Sequence, residues 1–343
     1  MEPFVGYSTT QYDSPDGKLI SYGGKLIQNN GTVTVDLAYT DSEHGENVVA
    51  NSYTAPIDIT NFEDGDFVNL EKVVYLFNTG SRKDAENLMK KDAAGTTNAP
   101  GQYLPIPIGT ARAMKSSFGT ITTIAPMQGF SVRANAEGAK LTFDYRKLVW
   151  NGTSANAPLR VTARNDEDAV RGALCVSIWS NGWTDNLYMI ESEEYDASYE
   201  NGYDATKQMS GAFNIFAVED EDRLSVDATN SIAGTRVGVR TGEEMTYTMK
   251  FSHVNSENPL VLWDKEARFK MLISEEVEYT FNAEPNSEIT ERFQIIAADI
   301  PAVTTGVEDV ESETKVTKFI KDNQLYILKD GVLYNASGAV VRK

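Results

Sequence analysis

The sequence predicts an all-β protein: β-sandwich or jelly-roll-like domains with one or two short helices, followed by a small C-terminal β-hairpin tail. Two observations predict this class. Many short stretches alternate apolar with polar side chains, which is the period of a strand with one buried face. Turn signals rich in Gly, Pro, Asn and Asp separate these stretches at short, regular intervals, a spacing typical of sandwiches and jelly rolls.

The clearest strand signal lies between residues 125 and 143. Phe130 and Val132 alternate with polar neighbours, and Leu141 and Phe143 do the same after a turn that contains Gly138. Two alternating runs joined by a short Gly-containing loop are typical of a β-hairpin, so we predict one here.

Other stretches follow the same logic. Asn181 and Gly182 form a two-residue hairpin signal, and Ser81 is suited to cap a helix over residues 81–91. A second short helix is predicted within 111–119. The remaining predicted strands cover residues 18–22, 32–39, 73–77, 120–124, 159–163, 173–179, 213–218, 223–226, 235–239, 245–251, 260–263, 267–273, 278–281 and 292–297.

Two soft breaks divide the chain. A loop runs through Pro158, and residues 303–313 are acidic with few bulky hydrophobic side chains, as linkers are. The predicted organisation is an N-terminal β-sandwich domain over 1–155, a second β-sandwich domain over 156–302, a linker over 303–314 and a C-terminal β tail over 315–343.

Composition excludes several classes of function. The 343 residues contain 31 Lys and Arg against 50 Asp and Glu, a formal charge of −19. Nucleic acids and anionic lipids require a basic footprint, so neither is predicted as the main partner. The only cysteine, Cys175, cannot form a disulfide within the chain and lies in an apolar run, where it is predicted to be a small buried hydrophobe.

No apolar run is long enough for a membrane span. The first residues, MEPFVGYSTT, lack the basic and apolar regions of a signal peptide. We therefore expect a mature segment, or the C-terminal part of a longer protein.

Three aromatic residues form the first candidate site. Trp179 and Trp183 flank the predicted hairpin turn, and Tyr195 follows in an acidic window. Aromatic faces beside a turn could stack on sugar rings, which makes this trio a candidate ligand-binding site. The alternative is that the tryptophans pack across the strands as a structural lid.

Three carboxylates form the second candidate site. Asp196, Glu200 and Asp204 recur at every fourth residue between 191 and 209. In a loop they could gather around calcium, although their spacing does not match an EF-hand. The alternative is a solvated loop pinned by the tyrosines of the same window. Gln128 is predicted to bond loop backbone, and His44 to lie in a solvated loop.

Several motifs occur in an order that resembles a known type of protein. They are Asn51-Ser-Tyr-Thr-Ala-Pro-Ile-Asp58, Ala125-Pro-Met-Gln-Gly-Phe130, Glu200-Asn-Gly-Tyr-Asp-Ala-Thr-Lys207, Tyr279-Thr-Phe281 with Arg292-Phe293, and the tail from Asn323 to Gly338. The order resembles a β-rich module near the C-terminus of secreted and cell-surface proteins of Bacteroidetes. The tail is similar to the short C-terminal segments related to type IX secretion sorting domains.

This resemblance implies export, display at the cell surface and no established catalytic residues. The first hypothesis is therefore a non-enzymatic adhesion or structural module, extracellular or on the outer membrane, whose partners are surface components or glycans. Its oligomeric state is not predicted. The second is a carbohydrate-binding module, calcium-assisted or not. The third is a glycoside hydrolase, because two carboxylates suffice for that chemistry.

Overall fold

The structure is a computed structural model. It describes residues 3–7, 27, 31–40, 45–77, 103–113, 123–149, 170–209 and 211–298. Four further strands between 316 and 342 are described by their backbone alone. The predicted strands over 18–22 and 159–163, the predicted helix over 81–91, and His44 lie outside the described residues.

Nine short strands and two short helices form the first part of the described chain. The strands are β1 (Thr32–Asp36), β2 (Glu46–Ala50), β3 (Ile57–Asp58), β4 (Phe67–Val68), β5 (Val73–Phe77), β6 (Tyr103–Pro107), β7 (Thr123–Ile124), β8 (Gly129–Arg133) and β9 (Lys140–Asp144). The helices are α1 (Ile108–Ala113) and α2 (Tyr145–Leu148), and two 3₁₀ turns cover Ile59–Asn61 and Asp64–Asp66. The strands form sheets in the orders β2-β8-β5-β6, β1-β9-β4 and β3-β7.

The predicted hairpin between residues 125 and 143 is wrong. β8 pairs with β2 and β5, whereas β9 pairs with β1 and β4, so the two strands lie in different sheets. Phe130 and Phe143 instead meet across the core, with ring centroids 6.4 Å apart. Alternation fixes which face of each strand is buried, and that face is the same in a hairpin and in an arch that crosses between sheets.

The strand β5 is buried on both faces, as its continuous apolar run predicts. Val74 and Leu76 belong to the first hydrophobic core, which the sheets of the first part enclose. Val73 and Tyr75 point the other way, into a smaller cluster. We call this second group the bridging cluster: Val73, Tyr75, Ala113, Ala173, Ile190, Tyr195, Ala205, Val226 and Ala228.

The second part of the described chain is one large, mostly antiparallel sheet. Its strands are β10 (Gly172–Ser180), β11 (Trp183–Glu191), β12 (Ala205–Thr206), β13 (Asn214–Glu219), β14 (Asp222–Thr229), β15 (Arg236–Arg240), β16 (Thr246–Asn255), β17 (Leu260–Asp264), β18 (Phe269–Leu272), β19 (Glu278–Asn282) and β20 (Glu288–Ala297). Their order is β18-β17-β20-β15-β13-β14-β11-β10-β16-β19, with β12 attached to β14. The predicted hairpin at Asn181 and Gly182 is confirmed: Ser180 pairs with Trp183, and both turn residues have positive φ.

This sheet curls around a second hydrophobic core, to which Leu174, Ile215 and Tyr247 belong, so its two edges meet. Phe269 on edge strand β18 stacks on Tyr279 of edge strand β19, with ring centroids 5.7 Å apart. The hydroxyl of Tyr279 donates to Asp264 Oδ2 over 2.7 Å, and Arg292 Nη1 donates to the carbonyl of Asn282 over 2.9 Å. Side chains, rather than backbone pairing, therefore hold the edges together. The fold is all-β with sandwich character, as predicted.

The C-terminal tail is a four-stranded antiparallel sheet. Its strands are β21 (Val316–Lys321), β22 (Gln324–Lys329), β23 (Val332–Asn335) and β24 (Val340–Arg342), paired in chain order. Lys329 pairs with Val332, so two residues separate the paired ends of β22 and β23. The tail thus has more strands than the single hairpin that we predict from the sequence.

Candidate functional site

The segment Glu200–Lys207 lies where the first core meets the curled sheet. The sequence predicts a solvated loop here. The structure instead buries Gly202, Asp204 and Lys207, and it half-buries Tyr203. We call this region the core–core interface: Glu200–Lys207 and Tyr199 on one side, Leu70–Tyr75 and Ile108–Thr110 on the other.

Direct hydrogen bonds join the two sides of the core–core interface. Asn201 Oδ1 accepts from the Lys72 N–H over 2.7 Å, and Asn201 Nδ2 donates to the Leu70 carbonyl over 3.2 Å. Through these two bonds, the side-chain amide of Asn201 pairs with the backbone of Leu70 and Lys72 as the backbone of a neighbouring strand would. The hydroxyl of Thr110 donates to the Tyr203 carbonyl over 2.6 Å. These three hydrogen bonds, together with the glycine contact described below, fix the orientation of the segment.

Two glycines allow this close approach. The N–H of Gly109 donates to the Gly202 carbonyl over 2.8 Å. A Cβ at position 109 would lie 2.8 Å from the Tyr203 ring and 2.9 Å from the Gly202 oxygen. Gly202 has φ +106°, a conformation that side chains rarely adopt. The glycine in the sequence Glu-Asn-Gly-Tyr is therefore required by the turn.

Glu71 is the buried centre of the core–core interface, with 3% of its surface exposed. Its Oε1 accepts from the Thr206 N–H over 2.7 Å and from the Tyr199 hydroxyl over 3.3 Å. Its Oε2 accepts from the Tyr75 hydroxyl over 2.7 Å. Burial, and then the charge of Glu71, raise the pKa of the Tyr75 hydroxyl well above its ordinary value, so Tyr75 stays a donor. The Glu71 carboxylate, in the first part of the chain, thus accepts hydrogen bonds from two groups of the second part, the Thr206 N–H and the Tyr199 hydroxyl.

Asp204 closes the turn that faces Glu71. Its Oδ2 accepts from the Glu200 N–H and its Oδ1 from the Ala228 N–H, both over 2.6 Å. Burial raises the pKa of Asp204 to about 7, although these two backbone donors act in the opposite direction. A carboxylate that ionises near neutral pH therefore holds the interface segment to β14.

Two further carboxyl groups also ionise late, and they make stability depend on pH. Burial raises the pKa of Asp227 to about 6. Burial, followed by the nearby charges of Asp227 and Asp204, raises that of Glu219 to about 8. A raised pKa means that the folded state holds protons which the unfolded chain releases from about pH 4 upward.

We therefore expect the free energy of unfolding to fall as the pH rises from about 4, the pKa of an unfolded Asp, to about 8, the pKa of Glu219. Asp227 alone contributes about 2–3 kcal/mol to this fall, since one pKa unit corresponds to about 1.4 kcal/mol. Urea unfolding at a series of pH values measures the slope. The variant D227N should give a shallower slope, and an unchanged slope would contradict the assignment.

The structure does not assemble the predicted calcium ligands. Asp196 is exposed, Glu200 is half-buried, and Asp204 is buried with both oxygens bonded to backbone N–H groups. Within the described ranges, no three His, Cys, Asp or Glu side chains are grouped so that they could hold a metal ion. Calcium binding stays a prediction without a converged set of ligands.

The three aromatic residues of the predicted sugar site are also separated. Trp179 pairs with Thr184, and Ser180 pairs with Trp183, so the two indoles lie on opposite faces of the sheet. The ring of Trp179 lies under Lys250, with Nζ 4.5 Å from the ring centroid. Tyr195 is buried against Tyr203 in the bridging cluster. Of the three, Trp183 alone is exposed, at 39%.

Two smaller predictions can be checked directly, and the buried Asn51 adds a loop contact that the sequence does not predict. Gln128 Oε1 accepts from the Ala125 N–H over 2.9 Å, which confirms its role in the loop. Cys175 is buried, and burial raises its pKa to about 11, which confirms a small apolar residue rather than a reactive thiol. Asn51 is fully buried and donates to the carbonyls of Ala55, Ile124 and Ala125.

Glu71 is absent from the predicted site residues. It precedes the apolar run Val73–Phe77, and a Glu beside a buried strand carries no signal of its own in the sequence. Its partners Tyr199 and Thr206 lie more than 120 residues further along the chain. Only the assembled fold brings these groups together.

The chain is similar to the minor fimbrium subunit Mfa5 of Porphyromonas gingivalis, a Bacteroidetes species, with 27% identity over 282 residues. The alignment covers 74% of this chain and 22% of that protein, so the chain spans about a fifth of the length of its relative. No protein family profile and no solved structure matches the chain. A fimbrial subunit from the bacterial group that the motifs indicate is therefore among the relatives of this protein.

Proposed function

We propose that this protein is a non-enzymatic structural and adhesive module of a fibre or other assembly on the bacterial surface. The observation that carries the proposal is the similarity to a fimbrial subunit across three quarters of the chain. None of the helices in the described part of the chain has the length and apolar character needed to cross a bilayer.

The core–core interface supports a role in a structure that is under mechanical force. Backbone and side-chain hydrogen bonds link the two cores directly, through Asn201, Glu71 and the close contact of Gly109 with Gly202. A module that stands in a surface fibre needs its parts fixed to one another under force. The acidic exterior, with a net charge of −19, keeps such a module solvated.

The C-terminal sheet β21–β24 is the proposed export signal. In the organism that produces the protein, antibody labelling of intact cells should detect the full chain, and mechanical shearing should release it with surface fibres. A version that lacks residues 315–343 should accumulate inside the cell. Full-length chain found only in the cytoplasm would contradict surface display. Normal display of the truncated chain would contradict the role of the tail alone.

Carbohydrate binding is the second proposal, and the exposed indole of Trp183 is the observation that favours it. A glycan array with the wild type and with W183A tests it, in the presence and absence of calcium. Binding lost in W183A would support it. If the wild type binds no glycan on the array, carbohydrate binding is contradicted, and the proposed structural role is unaffected.

A further inference from the structure

Lys207 and Asp185 form an ion pair in the interior of the second part. Their side chains are 6% and 5% exposed. Each other lysine that forms an ion pair within the described ranges is at least 23% exposed. Burying two opposite charges costs several kcal/mol of desolvation, so this site is held by its surroundings rather than by the attraction alone.

The amine of Lys207 contacts both oxygens of the Asp185 carboxyl group. Lys207 Nζ is 2.7 Å from Asp185 Oδ1 and also 2.7 Å from Oδ2. Because it is equally close to both oxygens, Nζ also lies roughly 3 Å from the carbon that they share, which is within the distance that attack on this carbon requires.

Hydrogen-bond donors surround the oxygen where negative charge would develop during attack on this carbon. Asp185 Oδ2 accepts from the Ile215 N–H over 2.9 Å and from Asn214 Nδ2 over 3.3 Å. Fixed donors in a water-excluded site stabilise the oxyanion of a tetrahedral intermediate. On the other side, Nζ donates to the carbonyl of Asn186 over 3.1 Å, which orients the amine.

We propose that Lys207 and Asp185 condense to form an intramolecular isopeptide bond. A proton passes from the ammonium to Oδ1, which leaves a neutral amine and a neutral carboxyl group. Nζ attacks Cγ, and Oδ2 carries the negative charge between the Ile215 and Asn214 donors. The Cγ–Oδ1 bond then breaks, and Oδ1 leaves as water with a second proton from Nζ. One N–C bond forms, one C–O bond breaks, and no oxidant or cofactor is consumed.

The product fits the site. An amide nitrogen keeps one hydrogen, which can still donate to the Asn186 carbonyl. The bond replaces two buried charges by a neutral group, and exclusion of water opposes its hydrolysis. It closes a loop between positions 22 residues apart, and this loop contains Asn201, Gly202 and Tyr203 of the core–core interface. The segment that joins the two cores is thus tied covalently to β11.

Mass spectrometry of the denatured full chain tests the proposal. The wild type should be lighter than its sequence by one water molecule, and K207R, which keeps the charge but cannot condense, should have its full mass. The variant D185N gives a second mass measurement, because condensation of Lys207 with the asparagine at position 185 would release ammonia instead of water.

Peptide mapping locates the bond. Trypsin has no site between residues 172 and 206, and a linked Lys207 blocks cleavage there, so the tryptic peptide should extend from 172 to Arg223. Cleavage after Glu191 by a glutamate-specific protease separates residues 185 and 207 in an unlinked chain, but leaves them joined in a linked one. The pair Lys147–Asp66, 25% and 8% exposed with Nζ 2.6 Å from Oδ2, is the internal control and should stay unlinked.

Wild-type protein of full mass would overturn the proposal. A missing water molecule that maps to residues other than 185 and 207 would also overturn it. The wild-type peptide map decides the question by itself if K207R does not fold.

Discussion

Replacing Asp264 by alanine is expected to lower the free energy of unfolding by about 3–5 kcal/mol, because it leaves the Arg292 guanidinium, which is only 11% exposed, without its buried counter-charge. Asp264 is fully buried. It accepts from Arg292 Nε and Nη2, from the Tyr279 hydroxyl and from the Ala267 N–H, all within 3.1 Å. The variant would also remove the hydrogen bond from the Tyr279 hydroxyl, and the two edges of the curled sheet meet through Tyr279.

Chemical denaturation of D264A measures this loss, and E266A is the matched control. Glu266 also faces Arg292, at 3.4 Å, but it is 72% exposed, and exposed ion pairs contribute about 0–1 kcal/mol. Equal stabilities of the two variants would contradict the role of the buried pair.

The same pair predicts a loss of stability in acid. Burial alone would raise the pKa of Asp264, but the hydrogen bonds from Arg292, Ala267 and Tyr279 outweigh it and lower the pKa. The stabilisation is therefore complete at neutral pH and is lost as the pH falls through this lowered pKa.

Replacing Glu71 by alanine is expected to uncouple the first core from the curled sheet. The Thr206 N–H would be left buried without a partner, which costs about 1–3 kcal/mol, and the Tyr199 hydroxyl would lose its acceptor in Glu71. Both groups belong to the second part, so the loss falls on the core–core interface rather than on either core. Calorimetry should therefore show two separate unfolding transitions in place of a shared one.

E71Q is the control, because its amide oxygen can still accept from the Thr206 N–H. It should behave more like the wild type than E71A does. A single transition at an unchanged temperature in E71A would show that Glu71 does not couple the two cores.

Much of the architecture could be predicted from alternation and turn chemistry. The two-residue turn at Asn181 needs positive φ at both positions, and a sequence reader recognises this in Asn-Gly. The buried strand Val73–Phe77 was equally visible as an unbroken apolar run. The arch between β8 and β9 cannot be predicted in this way, because the alternation of side chains does not indicate which strand supplies the hydrogen-bond partner.

The residues of each candidate site lie apart in the structure for a related reason. Spacing groups Asp196, Glu200 and Asp204. In the structure both carboxylate oxygens of Asp204 instead accept from the backbone N–H groups of Glu200 and Ala228, and Asp196 is exposed. The two tryptophans were grouped by nearness in sequence, yet residues 179 and 183 fall on opposite faces, because a two-residue turn pairs 180 with 183.

The sequence by itself determined the class of fold, most of its strands, the acidic exterior and the inert character of Cys175, since these depend on composition and on contacts between near neighbours. Only the tertiary structure decided the order of strands in the curled sheet, the place of Glu71 at the core–core interface, and the meeting of Lys207 with Asp185. Each of these joins residues far apart in the chain, and burial selects such partners only after the strands have packed.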